Sequence, residues 1–147
     1  MKRTFGLSVL LLSVAVAVGA LAGTAAAAGK AGIPSVTILV KSDDEHAKKG
    51  PDGNWHDAFL PANPVLKAGV RTRITLVNYD GSAHSMVAPG IGLNVVVPAA
   101  KGSTPGQISF TIRIGKPGNY DWWCTSPCDP WAMTHDGYMR GHLTVSK

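Results

Sequence analysis

Apolar and polar residues alternate one by one over several short stretches of this chain, and nowhere do apolar residues recur at the three-to-four spacing of an amphipathic helix. In residues 70–78, Val70, Thr72, Ile74, Leu76 and Asn78 fall on one side of an extended backbone. Arg71, Arg73 and Thr75 fall on the other, so one face is expected to be buried. Residues 107–114 repeat the pattern, with Ile108, Phe110, Ile112 and Ile114 inward and Ser109, Thr111 and Arg113 outward. Residues 35–41 are β-branched and apolar, and residues 91–97, 120–124 and 140–146 supply further strands. Gly115 to Gly118 forms a turn, while the polar residues 41–57, with Asp43, Asp44, Glu45, Lys48, Lys49 and Gly-Pro-Asp-Gly at 50–53, read as a long loop. Strands at this spacing, separated by glycine and proline turns, predict an all-β antiparallel sandwich or barrel.

The front of the chain is different in kind. Residues 1–28 open with Lys2 and Arg3, continue through an apolar run over 5–22 and end in small residues. That order is expected of a secretory signal peptide cut near Ala28, and the apolar run is also long enough to remain as a membrane anchor. Residues 29–147 then make one domain of ordinary size, exported to the periplasm or to the extracellular face of the membrane. Lys and Arg number 14 against 9 Asp and Glu, a formal net charge of +5, and two of the positive charges belong to the leader. The others, including Lys48, Lys49, Arg71, Arg73, Arg113 and Arg140, are scattered without aromatic interleaving, which excludes nucleic-acid binding.

The candidate chemistry is concentrated in residues 124–139, CTSPCDPWAMTHDGYM, which hold both cysteines, Met133, Met139 and His135. Parity sets Cys124 on the strand face of Tyr120 and Trp122, and Met139 on that of Leu143 and Val145, so both are expected to point inward. The loop 125–138 between them lies at one end of the sandwich, where rigid scaffolds carry function. Soft and borderline metals prefer sulfur and imidazole, yet in an oxidising compartment Cys124 and Cys128 can equally form a disulfide, worth about 2 kcal/mol for so short a loop. His46 and His56 lie in or beside the polar loop and are expected to be solvated, and His142 to be an exposed strand residue. Met86 and Met133 read as core filling. Trp122, Trp123 and Trp131 read as packing beside the core or as an electron path. No nucleophile elbow, zinc-protease helix or phosphate loop is present, and no acidic residue pairs with a histidine in a recognisable arrangement, so no catalysis of its own is expected.

Over roughly residues 55–146 the order of elements is similar to a cupredoxin domain: Asn78-x-Asp80 followed by His84-Ser85, then Gly118-x-Tyr120-x-x-x-Cys124, Cys124-x-x-x-Cys128, Gly137-Tyr138-Met139-x-Gly141 and a final Leu143-x-Val145 strand. The resemblance implies a Greek-key β-sandwich that holds copper at one end and passes single electrons to a redox partner. The paired cysteines resemble the CuA domain of cytochrome oxidase subunit II. Carried over by position, this implies His84, Cys124, Cys128, His135 and Met139 as copper ligands, with the Ser126 carbonyl between the cysteines. The histidine and methionine follow at gaps of seven and four positions where that family has four and three, and Ala132 stands at the shorter spacing. One type 1 copper and two CuA-like coppers both stay open, as do an oxidase subunit attached to a membrane, a copper storage or delivery protein and a metal-free module with a disulfide.

Overall fold

The computed structural model describes residues 32–147, and the expected signal peptide or anchor over residues 1–28 lies outside the described residues. Eleven strands run in chain order: β1 Ser35–Lys41, β2 Lys48–Lys49, β3 Trp55–His56, β4 Ala58–Leu60, β5 Val65–Lys67, β6 Thr72–Asn78, β7 His84–Ala88, β8 Leu93–Val97, β9 Gly106–Ile112, β10 Gly118–Trp123 and β11 Arg140–Ser146. One sheet has the order β4-β1-β6-β9, the other β5-β11-β10-β7-β8, and β2 with β3 forms a separate hairpin. Among the described residues only three short 3-10 turns are helical, and no helix is long and apolar enough to cross a membrane.

The alternation in the sequence is realised where one face of a strand meets the other sheet. Along β6, Thr72, Ile74, Leu76 and Asn78 are buried and Arg73 is exposed. β9 keeps the expected parity, but as an edge strand it leaves Ile108, Phe110 and Ile112 only half-buried. Ile38, Val40, Phe59, Ile74 and Leu76 from one sheet face Met86, Val97, Trp122, Leu143 and Val145 from the other. Full burial of such side chains contributes about 1.5–3 kcal/mol each. At the centre the Phe59 and Trp122 rings meet at 4.7 Å, and the Trp122 indole N–H donates to the Ala62 carbonyl at 2.8 Å, so no polar atom of the ring is stranded.

The sheets are mixed rather than wholly antiparallel. β1 pairs parallel with β6 from Ser35↔Arg73 to Val40↔Asn78, and β5 pairs parallel with β11. Alternation has the same period in either direction, so it carries no record of strand polarity. β7 was hidden for another reason: His84, Ser85, Met86 and Ala88 are all buried, so the strand is covered on both faces and shows no alternation. The polar residues 41–57 are also more ordered than expected, with a 3-10 turn at Asp43–Glu45 and the β2–β3 hairpin.

Gly106, at the start of β9, shows how tightly the end of the sandwich near β7 closes. A Cβ there would lie 1.9 Å from the Pro98 carbonyl oxygen, the same oxygen that accepts a hydrogen bond from Asn78 Nδ2 at 2.9 Å. Backbone must shift to admit even one methyl group. Gly106→Ala is therefore expected to lower stability by about 1–3 kcal/mol, read as a lower urea midpoint at unchanged slope. A midpoint equal to the wild type's would show that this approach is looser than described.

Candidate metal centre

Three elements converge at that end. β6 ends in Asn78, a fully buried side chain whose amide donates to the carbonyls of Ser82 at 2.7 Å and Pro98 at 2.9 Å while its oxygen accepts from the Asp80 N–H at 3.0 Å. These bonds shape the turn that delivers His84 to the first position of β7. β10 delivers Cys124, one residue beyond its end, and Cys124 N–H still donates to the Met139 carbonyl at 2.8 Å, extending the β10–β11 ladder. Cys128 comes from the loop.

His84 Nδ1 stands 3.1 Å from Cys128 Sγ and 3.9 Å from Cys124 Sγ, and the two sulfurs are 2.9 Å apart. Both cysteines are free, and the separation is well beyond the roughly 2.05 Å of a disulfide. Among the described residues these three form a cluster able to hold a metal, with ligand atoms all within 4.8 Å of one another. The Ser126 carbonyl oxygen lies 3.0 Å from Cys128 Sγ and 3.8 Å from Cys124 Sγ. Met139 is fully buried and lies directly across the ladder from Cys124, which sets its side chain on the same inward face.

His135 is not brought to this cluster. It is exposed, its Nδ1 lies 2.7 Å from the Trp131 carbonyl, and its ring stacks on Trp131 at 3.6 Å. The residues after Cys128 form a 3-10 turn over Ala132–Thr134 that buries Ala132 and turns His135 outward.

The electrostatics follow from burial and contact. His84 is 1 % exposed and Cys124 2 %. A hydrogen bond from Cys128 is the main force lowering Cys124 to about 4, with burial opposing and His84 and Ser85 assisting; the Ser85 N–H donates to Cys124 Sγ at 3.4 Å. The Cys128 thiol is pushed up by the same bond and by burial. The two thiols are thus coupled, and Cys124 is the more readily ionised of the pair. For His84, burial lowers the pKa, but contacts with Cys124 and Asp80 outweigh it and the net shift is upward. The Nε2–H donates to Asp80 Oδ2 at 2.6 Å, which fixes the ring with Nδ1 toward the sulfurs.

Sequence reasoning did not find the supporting residues. Contrary to the expected absence of acid–histidine pairs, His84 bonds Asp80, His56 bonds Asp52 and Asp129, and His142 bonds Asp121. Two of these are four residues apart in turns rather than helices, and two are made between segments distant in sequence, where spacing gives no signal. His142 is half-exposed on the outer face, as expected of its parity. His46 is exposed, whereas His56 is not solvated: it is 6 % exposed, because Asp129, Asp52 and Trp131 enclose it. Ser85 stands in the pattern that carries the resemblance, but its bonding role had no signal in the sequence. Its Oγ accepts from the Thr125 N–H at 2.7 Å, continuing the β7–β10 pairing by side chain where backbone pairing ends at Trp123↔Val87.

Two outcomes test this arrangement. Asp80→Ala should weaken metal binding about 10–100-fold by releasing the His84 ring, measured by competition against a chelator of known affinity; unchanged affinity would contradict the role of Asp80. The second concerns His56, whose pKa burial lowers but Asp129 and Asp52 raise further, for a net upward shift. The groups facing it are Asp52 and Asp129, with the Tyr138 ring edge-on at 6.0 Å. A raised histidine adds stability that is complete below its unfolded value of about 6.5 and is lost as pH rises through the folded value. The stability difference between wild type and His56→Gln should therefore shrink as urea unfolding is repeated from mildly acidic to alkaline pH. A constant difference would remove this assignment.

No protein family matches the sequence, and no curated protein matches it. Solved structures of similar shape include the metal-binding domain of the Cu(I)-exporting P-type ATPase of Streptococcus pneumoniae, 14% identical, covering 77% of this chain and 85% of that one at a TM-score of 0.49. A purple cupredoxin from Nitrosopumilus maritimus is 18% identical, covering 76% and 99% at 0.44. A chain of a heme-copper terminal oxidase dimer is 20% identical, covering 80% and 67% at 0.47. By its own strand order, two packed sheets with β1 lying parallel to β6, the described domain is a cupredoxin-like β-sandwich.

Proposed function

We propose that this protein is an exported copper-binding electron-transfer protein of the cupredoxin type, exchanging single electrons with a partner protein. The observation that carries the reading is the convergence of His84 Nδ1 with the sulfurs of Cys124 and Cys128 from segments forty residues apart. The donor set fits copper. Two thiolates suit the soft Cu(I) ion, imidazole suits Cu(II), and the lowered pKa of Cys124 favours the thiolate that a metal needs. His84, Cys124 and Cys128 would hold the ion, with the Ser126 carbonyl and Met139 beside it. Copper bound there supplies the one-electron change between Cu(I) and Cu(II).

The protein's own contribution is rigidity and exclusion of water. His84, Cys124 and Met139 are set by β-ladders and by Asp80, so the ligands have little freedom to move as the charge changes, which keeps the reorganisation of electron transfer small. A thiolate, a histidine and an aspartate in series also resemble a nucleophile and its base. Cys124 and His84 are almost wholly buried, however, which denies a substrate access and favours ligation. The basic, apolar and small segments of residues 1–28 support export.

The test is anaerobic loading of the reduced protein with copper, followed by metal analysis, visible spectroscopy and electron paramagnetic resonance. Intense thiolate-to-Cu(II) absorption, lost in Cys124→Ser, is expected, with four hyperfine lines for one copper or seven for two sharing an electron. Voltammetry should show a reversible one-electron wave, which a storage or delivery protein need not. A colourless Cu(II) form with both thiols free, or uptake of zinc in preference to copper, overturns the reading.

A further inference from the structure

We propose that His56, from a segment that supplies no metal ligand, is a positioning residue for the metal loop: it locks the turn that follows Cys128 and thereby sets where the Cys128 sulfur stands. The inference rests on the copper reading of the site for its purpose, though not for its geometry.

The two cysteines are held by different means. Cys124 is buried at the end of a β-ladder, with its backbone bonded to Met139 and its sulfur approached by the Ser85 N–H. Cys128 is half-buried, lies in no strand, and its place depends on what fixes the loop around it. The next residue, Asp129, is the knot. Its Oδ1 accepts from the N–H groups of Trp131 at 2.8 Å and Ala132 at 3.2 Å, starting the 3-10 turn, and its Oδ2 meets His56 Nδ1 at 2.5 Å. Its own N–H donates to Asp57 Oδ2 at 3.2 Å, so the neighbouring residues His56 and Asp57 grip both ends of Asp129.

His56 cannot rotate away. Its second nitrogen faces Asp52 Oδ2 at 3.0 Å, and Asp52 in turn holds the β2–β3 turn by accepting from the backbone and side-chain amides of Asn54. The ring lies flat on Trp131 at 3.9 Å and 15°, and His135 stacks on the same indole at 3.6 Å. Tyr138 closes the edge, with its hydroxyl donating to the Lys49 carbonyl at 3.1 Å and Lys48 Nζ over its ring at 4.2 Å. Thus the hairpin that the sequence presents as a polar loop is a buttress: Lys48 and Lys49 hold the far end of the loop at Gly137 and Tyr138, and His56 holds the end that carries Cys128. An imidazole bonded on both nitrogens and stacked on one face does here for a loop what an outer hydrogen-bond partner does for a metal-bound histidine.

The geometry makes the two nitrogens unequal. Asparagine places its amide near the Nδ1 position and can keep the bond to Asp129, whereas glutamine reaches the Nε2 position and keeps only the bond to Asp52. The experiment compares wild type, His56→Ala, His56→Asn and His56→Gln, with exposed His46→Ala as the control. In the metal-free, reduced proteins, maleimide alkylation of each cysteine is followed by mass spectrometry. His56→Ala and His56→Gln should raise the Cys128 rate at least about tenfold, with buried Cys124 remaining the slower of the two, and His56→Asn should restore most of the wild-type protection. In the copper-loaded proteins the same two variants should shift the thiolate absorption band and hyperfine pattern, which a general loss of stability would not do. Equal Cys128 rates in wild type and His56→Ala overturn the proposal, as does a His56→Asn variant no better protected than His56→Gln. Should His56→Ala fail to fold, the Asn and Gln pair decides alone. A wild type that binds no copper overturns the proposed function instead, and the alkylation rates still decide the role of His56.

Discussion

Two sulfur atoms and one imidazole nitrogen are held within a few ångströms of each other in a nearly dry end of a β-sandwich, and the rest of the site is organised around that crowding. A buried thiolate is costly unless charge and hydrogen bonds compensate it. Here the compensation is local: the Cys128 sulfur beside it, the Ser85 N–H, and a histidine whose far nitrogen is anchored on Asp80. The same features that make Cys124 tolerable without a metal support the proposal that the pair receives a soft cation, which would displace thiol protons on binding.

The framework supplies two grades of precision. Cys124, Met139 and His84 belong to or adjoin β10, β11 and β7, whose inner faces are the core itself, so their positions are tied to the global fold. Cys128 and the Ser126 carbonyl belong to the loop, where the residue after Cys128, Asp129, bonds His56 at the end of the β2–β3 hairpin and Asp57 next to it. A site built this way can keep one sulfur invariant while the other responds to changes in a peripheral segment.

How far the sequence displayed this arrangement depended on the kind of force responsible. β6, β9, β10 and β11 were legible because each buries one face, and parity then sent Cys124 and Met139 inward, as they are found. β7 was illegible because both its faces are covered, and the parallel β1–β6 pairing because direction leaves no periodic trace. His84 could be singled out only by its resemblance to a family pattern, since nothing local announces that it folds back on residues forty positions later. The same pattern named His135, but the longer loop inserts a 3-10 turn that buries Ala132 and leaves His135 stacked on Trp131. The polarity of residues 41–57 was read as solvation, when several of those polar groups are satisfied by one another and by the metal loop. Composition alone does not distinguish a polar segment bonded to protein from one bonded to water.

Joint binding of one metal centre by His84, Cys124 and Cys128 is decided by X-ray absorption at the copper edge of the loaded protein. Sulfur neighbours in the first shell are expected together with the outer-shell scattering of an imidazole ring, the latter diminished in His84→Ala. A first shell of nitrogen and oxygen alone would contradict it.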